Sequence, residues 1–334
     1  MGDVILVTGG AGYVGSHLAR KLLDNGHRVR ILDGFWYGHH GLEEILDHPK
    51  LELIDGDIRD QTTLAAAAKG AKGVVALAAI VGDAACDLNP QETMEINYEA
   101  TRHTLRACQA SGVRRLVFAS SCSVYGANGR ELLREGSHLN PVSLYARTRI
   151  MSEELLFREA GDLEVVILRL ATVCGVSPRM RFDLMVNTMT ACAAKQGTIR
   201  ISGAKQWRPH LHVKDAAEAF KLAVEVPNLK REIFNVGSDG QNFTVGEIAE
   251  KVAEHLPGVE LQHLPNGSDA RSYRVSFERI ESTLGFRGSQ TVDDAIVEVS
   301  RLLEAGTIPD YTDEVFYNSK WLSATRNQNQ RQSA

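Results

Sequence analysis

The stretch VILVTGGAGYVGSHLARKLLDNG (4–26) constrains the fold more than any other part of the chain. Its β-branched start, VILVTG (4–9), reads as a buried strand. SHLARKLLDNG (16–26) reads as a helix ending at Gly26, and RVRILD (28–33) as a second strand. Gly9, Gly12 and Gly15 fall in the turn between the first strand and the helix. The first permits a tight turn. The second lets the backbone approach a pyrophosphate, which sits where helix amides and the dipole favour negative charge. A glycine trio alone also serves ordinary turns, so it is the order strand, loop, helix, strand that points to a dinucleotide. Asp33 ends the second strand, where a carboxylate can accept both adenosine ribose hydroxyls. It would repel a 2′-phosphate, and no Lys or Arg occurs from 31 to 49 to receive one. NAD is expected rather than NADP. Asp57 and Ile58, after the third strand, are placed to hold the adenine, with a loop cap as the alternative for Asp57.

The pattern repeats downstream. LELIDGD (51–57), GVVALAA (73–79), RLVFASS (115–121) and EVVILRL (164–170) are further strands, with helical patterns over 92–112 and 144–161. Repeated βα units predict an α/β fold of Rossmann type, a doubly wound parallel sheet. Beyond about residue 175 the pattern loosens. Helices over 182–196 and 244–256 alternate with short strands such as RPHLHV (208–213) and EIFNVGS (232–238). We therefore expect a Rossmann domain over 1–175 and a smaller substrate-binding lobe over 176–322, interleaved with late Rossmann segments near 208–238. The polar end, SATRNQNQRQSA (323–334), lacks an apolar face and is expected to be disordered.

Composition narrows the partners. A net charge of −5 over 334 residues argues against a nucleic-acid partner, because broad binding of DNA or RNA needs a basic surface. No run approaches the length of a membrane span. The start, MGDVILVTGG, has neither a basic n-region nor a cleavage site, and Leu6 stands where N-myristoylation wants Ser or Thr. The five cysteines are scattered, with no C-x-x-C pair, as expected of reduced thiols in a cytoplasm. No metal is expected: His210 and His212 read as structural, and His39–His40 as a loop pair without other ligands.

Taken together, TGGAGYVG, Asp33, GDIRD (56–60), LAA (77–79), Asn97, SSCSVYG (120–126), the Tyr145 segment, LRLATVCG (168–175) and RPHLHVKD (208–215) resemble the extended short-chain dehydrogenase/reductases acting on nucleotide sugars. The resemblance covers about residues 3–300. LRLATVCGVSPRMRFDLMVN (168–187) and DARSYRVS (269–276) look most like the branch with sugar-nucleotide 4-epimerases and heptose 4-dehydrogenases. The resemblance implies NAD held by the glycine loop with Tyr13 and Val14, by Leu77, Ala78 and Ala79, and by Asn97. It implies Ser121 as the catalytic hydroxyl, Tyr145 as general base and acid, and Leu170, Ala171 and Thr172 beside the nicotinamide. Ser121, Cys122, Ser123, Asn187, Arg208 and Arg271 would face the nucleotide sugar, the arginines on its diphosphate; the alternative for each arginine is a surface ion pair. The family's 4,6-dehydratases carry Asp-Glu directly after the catalytic hydroxyl and its decarboxylases a Glu at the second place. Here Cys122 and Ser123 stand there, which disfavours both reactions. Family members also pair the helices over 92–112 and 144–161 into a homodimer, and Ala100, Ala107, Ala110 and Ala146 are compatible with close packing.

Four residues after Tyr145 the chain carries Arg149, where many oxidoreductases have lysine. The pair shares one helix face. A tyrosine titrates near 10, so acting as a base near neutrality costs roughly 4 kcal/mol. A fixed cation reduces that cost, and the guanidinium can also hold ribose hydroxyls, so Arg149 is counted with the catalytic and cofactor residues. Arginine essentially never releases its proton, so it cannot pass one to solvent. A redox-neutral reaction that returns its own proton tolerates this best. The expectation is an NAD-dependent nucleotide-sugar 4-epimerase acting through a 4-keto intermediate. The alternatives are a 4-dehydrogenase or 4-ketoreductase on a similar substrate, and a non-catalytic NAD-sensing regulator.

Overall fold

The computed structural model describes residues 3–265, 269 and 271–332. Strand β1 (Val4–Thr8) runs into α1 (Gly15–Asp24) and returns as β2 (Arg28–Asp33). β3 (Leu51–Asp55), α2 (Gln61–Ala68) and β4 (Gly73–Ala76) continue the alternation. Next come α3 (Asp83–Asp87), α4 (Pro90–Met94), α5 (Ala100–Ala110) and β5 (Arg115–Ser121). A π-helical turn over Glu95–Glu99 joins α4 to α5, so the continuous helix expected over 92–112 is interrupted. β6 (Ala127–Leu133), α6 (Leu144–Glu159), β7 (Glu164–Leu170) and β8 (Thr172–Cys174) complete the first half.

The second half holds α7 (Met185–Gln196), β9 (Thr198–Ile201), β10 (Trp207–His212), α8 (Val213–Glu225) and β11 (Arg231–Val236). It continues with β12 (Asn242–Thr244), α9 (Val245–His255), β13 (Glu260–His263) and β14 (Ser272–Val275). α10 (Glu278–Leu284), α11 (Val292–Glu304) and α12 (Asn318–Gln332) close the described chain.

The main sheet has seven strands in the order β11-β7-β5-β4-β1-β2-β3, all paired in parallel. A parallel sheet of this kind is covered on both faces. Ile5 and Val7 accordingly pack into one layer with α1 and α8, while Leu6 faces the other with α2, α5 and α6. The strand order reverses between β1 and β4, and such a switch point leaves a crevice at the strands' carboxyl ends. The later segments form small sheets beside it, β12-β10-β8, β13-β9 and β14-β6. Val186, Ile199, Ile248, Val252 and Ile296 pack a separate core under α7, α9 and α11.

The sequence reading departs from the structure at the end of the chain as well. The polar end continues α12 through Gln332 rather than lying without structure. Its apolar anchor lies upstream, at Leu322, which is buried; residues 333 and 334 lie outside the described residues. Ala100, Ala107 and Ala146 are buried within the chain itself, so their close packing serves this chain's own helices. Ala110 is exposed.

Candidate active site

A cavity of about 870 Å³ opens at the carboxyl ends of the central strands. The glycine turn after β1 forms one wall. Gly9 has φ +74°, and a Cβ there would meet the Ala78 backbone nitrogen at 2.6 Å. A Cβ on Gly15 would lie 2.3 Å from the Gly9 carbonyl oxygen, whereas one on Gly12 would meet that oxygen at 3.2 Å. Gly9 and Gly15 thus permit close backbone contact, and the backbone at Gly12 stays open to the cavity. No side chain caps the N-terminus of α1, which leaves that end available to an anion. Asp33 accepts hydrogen bonds from the backbone N–H of Ala11 at 3.0 Å and of Phe35 at 2.9 Å. Burial nevertheless raises its pKa. Each carboxylate oxygen keeps acceptor capacity for a hydroxyl. These features fit a dinucleotide.

The facing wall carries the hydroxyl groups. Ser121 ends β5, and its Oγ accepts from the Ser123 N–H at 3.1 Å, which starts the short turn Cys122–Tyr125. Ser143 caps α6 through the Ala146 N–H, placing Tyr145 in the first helical turn and Arg149 one turn on. The Arg149 guanidinium lies 5.3 Å from the centre of the Tyr145 ring and 5.2 Å from that of Phe118. It donates to the carbonyls of Ala119 at 3.1 Å and Asn97 at 3.5 Å. Burial pushes the Tyr145 phenol above its ordinary pKa, outweighing the lowering by Arg149. The arginine alone does not make a phenolate here.

Most of the expected residues meet in this one cavity. Tyr13, Val14, Asp57 and Ile58 line it, as do Leu77, Ala78 and Ala79. So do Leu170, Ala171 and Thr172, and Ser121, Ser123, Tyr145 and Arg149. Asp57 is tied to its own loop, accepting from the Arg59 backbone N–H at 2.8 Å. Arg208 and Arg271 also reach the cavity and share Asp269, at 3.0 and 2.7 Å. Burial raises the Asp269 carboxyl, but Arg271 outweighs it and holds the group down to about 2. Arg271 further pairs with Asp83 on α3 at 2.6 Å, so both arginines line the cavity and are ion-paired there.

The cavity walls do not include three expected residues. Asn97 is buried, and its amide clasps the N–H and C=O of Ile80, each at 2.9 Å. It fixes the loop after β4, and its own carbonyl, in the π-turn, receives Arg149 and Ser152. Cys122 points into the core, its thiol donating to the Arg169 carbonyl. Asn187 is fully buried; it accepts from the Gly175 N–H at 3.0 Å and donates to Tyr13 Oη and the Arg181 carbonyl. It binds the loop after β8 to the glycine turn. Sequence reasoning missed Asp83, Arg179, Arg181 and Asn318, which all line the cavity. Two of them, the arginines of SPRMRFD, lay in plain view between the expected residues 172 and 187.

This crevice, with Tyr145 and Ser121 both lining it, defines a dinucleotide-dependent enzyme of the doubly wound class. The chain belongs to the NAD dependent epimerase/dehydratase family, whose model matches residues 5–237. It is 30% identical to a UDP-glucose 4-epimerase of Corynebacterium glutamicum over 88% of this chain and 93% of that protein. Its structure is similar to the UDP-glucose 4-epimerase of Thermotoga maritima with UDP-glucose, at TM-score 0.81 and 25% identity, covering 91% and 99% of the two chains. It is also similar to the dTDP-glucose 4,6-dehydratase DesIV of Streptomyces venezuelae with NAD and TYD bound. That match has TM-score 0.81 and 25% identity and covers 91% of this chain and 98% of DesIV.

Proposed function

We propose that this chain is an NAD-dependent nucleotide-sugar 4-epimerase working through a transient 4-keto sugar. The observation that carries the reading is the convergence of Ser121, Tyr145 and the glycine turn on a single cavity. The glycine turn and Asp33 hold NAD by its pyrophosphate and ribose. Leu170, Ala171 and Thr172 flank the nicotinamide, and Arg208 and Arg271 meet the substrate diphosphate. NAD supplies the hydride exchange at the sugar's C4.

Tyr145 Oη removes the proton of the C4 hydroxyl, and Ser121 Oγ hydrogen-bonds the same oxygen. Arg149 stabilises the phenolate, and the positive charge of oxidised NAD adds to its effect. After the keto sugar turns, Tyr145 returns the proton to the opposite epimer. Arg149 does not deprotonate, so a cycle that exports no proton suits this site. Cys122 and Ser123 offer neither the acid nor the base that dehydration or decarboxylation requires.

The curated relatives include epimerases and decarboxylases, so the test must separate outcomes. Positioned proton transfer contributes roughly 10² to 10⁴ in rate. Tyr145→Phe should therefore abolish turnover of UDP-sugars, followed by NMR, while NAD affinity by titration calorimetry persists. Near-normal turnover by that variant would remove Tyr145 from the mechanism. Steady growth of reduced cofactor with the wild-type protein would favour a 4-dehydrogenase instead. NAD binding without any nucleotide-sugar binding would favour an NAD-sensing regulator.

The smaller lobe, residues 176–322, supplies the substrate side of the cavity in this reading. A homodimer through α5 and α6 is part of the proposal, checked by light scattering of the eluted protein. A cytoplasmic setting agrees with the free cysteines. No described helix is long and apolar enough to cross a membrane.

A further inference from the structure

Arg179 has no part in the reaction just described, yet it lines the same cavity. Only 6% of its surface is exposed. Its guanidinium lies 3.9 Å from the centre of the Tyr37 ring, and its Nη2 donates to Asn318 Oδ1 at 2.7 Å. Neither contact supplies a negative charge. The neighbouring Arg181 has Asp183 at 2.8 Å, but among the described residues no carboxylate pairs with Arg179. Buried charges are normally paired. Burial, reinforced by Arg181, pushes the Arg179 guanidinium down to about 10.

The group is also held in a fixed plane. Asn318 donates through Nδ2 to the Val81 carbonyl at 3.2 Å, and its backbone N–H donates to Asp183 at 3.0 Å. Its amide is therefore oriented with the oxygen toward Arg179, and Tyr37 supports the guanidinium face. A guanidinium with its plane fixed is arranged for two oxygens of a phosphate before the ligand arrives.

Position selects the ligand. Tyr37 follows Asp33 closely in sequence, and the carboxylates of Asp183 and, more weakly, Asp33 both act on Arg179 without pairing with it. The loop that carries Arg179 is fastened to the glycine turn: Tyr13 Oη donates to the Gly175 carbonyl at 2.5 Å, and Ser177 Oγ to the Tyr13 carbonyl at 2.8 Å. We propose that Arg179, braced by Tyr37 and Asn318, binds a phosphate of the dinucleotide and complements the backbone of the glycine turn. This rests on the NAD reading above.

The test compares full-length wild-type protein with Arg179→Met, which keeps an unbranched apolar stem, and with Arg179→Lys. Titration calorimetry measures NAD, ADP-ribose, adenosine and UDP, with thermal unfolding measured in parallel. A charge-assisted contact to phosphate corresponds to about 10- to 100-fold in affinity. Arg179→Met should weaken NAD and ADP-ribose by that factor, with adenosine and UDP unchanged, and Arg179→Lys should recover part of the loss. Equal weakening of adenosine and NAD, together with a lower Tm, would show a merely structural arginine and overturn the proposal. Weaker UDP binding with NAD unchanged would assign Arg179 to the nucleotide sugar and overturn it too. If wild-type protein binds NAD and Arg179→Met binds it equally well, this inference alone fails. If wild-type protein binds no NAD, the functional reading fails first.

Discussion

Arg149 leaves the Tyr145 phenol above its ordinary pKa, because burial outweighs one guanidinium. The oxidised nicotinamide would bring a second positive charge. Ultraviolet titration of tyrosinate should therefore show one residue, lost in Tyr145→Phe, whose pKa falls when oxidised NAD is added. Arg149→Met should raise that pKa in both states. Activity should accordingly rise with pH until the tyrosine is ionised, and the rise should move to higher pH in Arg149→Met. A second charged pair lies beneath the site. Arg169 on β7 and Glu153 on α6 are both buried, with the guanidinium paired to the carboxylate and Ser120 Oγ donating to Glu153. Breaking such a pair from one side costs about 3–5 kcal/mol, because a charge is left buried and alone. Glu153→Gln should lower stability by that amount in urea unfolding. Glu153→Gln with Arg169→Met should recover much of it.

At the scale of elements, the glycine turn gives a sharp prediction. A Cβ at position 15 would sit 2.3 Å from the Gly9 carbonyl oxygen, a backbone atom with little room to yield. Gly15→Ala should therefore disturb the packing of α1 on the turn and weaken NAD binding at least tenfold by calorimetry, a loss of about 1.4 kcal/mol or more. Gly12→Ala, meeting the same atom at 3.2 Å, should cost less. The main strands were legible because each is a short apolar run bounded by turn residues, and their parallel pairing follows from βα alternation. The cavity wall was legible where a local motif names it, as at 9–15, 120–126 and 145. It was not legible where long-range packing decides orientation. Asn187 and Cys122 lie in motif stretches, but hydrogen bonds to Gly175 and Arg169 turn them away from the ligand space. The π-turn at Glu95–Glu99 adds one residue to a helical turn that periodicity reads as continuous. The chain next to Asp33 carries no Lys or Arg from 31 to 49, whereas the fold brings Arg179 into its field from the loop after β8.

The whole molecule is closed by its last helix. α12 begins at the cavity with Asn318, and Trp321 Nε1 donates to the Trp36 carbonyl at 2.6 Å, just beyond Asp33. Leu322 packs into the core layer shared with α2 and α5, and Arg326 pairs with Glu92 on α4. A helix that crosses from one layer to the rim of the cavity in this way restrains the strand ends that hold the cofactor. A chain ending at Tyr317 loses all four contacts at once, and Trp321→Ala loses one of them. NAD should leave the shortened chain on the order of tenfold faster, consistent with the loss of about one charge-assisted hydrogen bond. Trp321→Ala should fall between the shortened chain and the wild type. Stopped-flow release, followed by cofactor fluorescence or displacement, measures this directly, with circular dichroism checking that the shortened chain stays folded. Release at the wild-type rate from a folded chain ending at Tyr317 would mean that the main sheet and glycine turn retain the dinucleotide without α12.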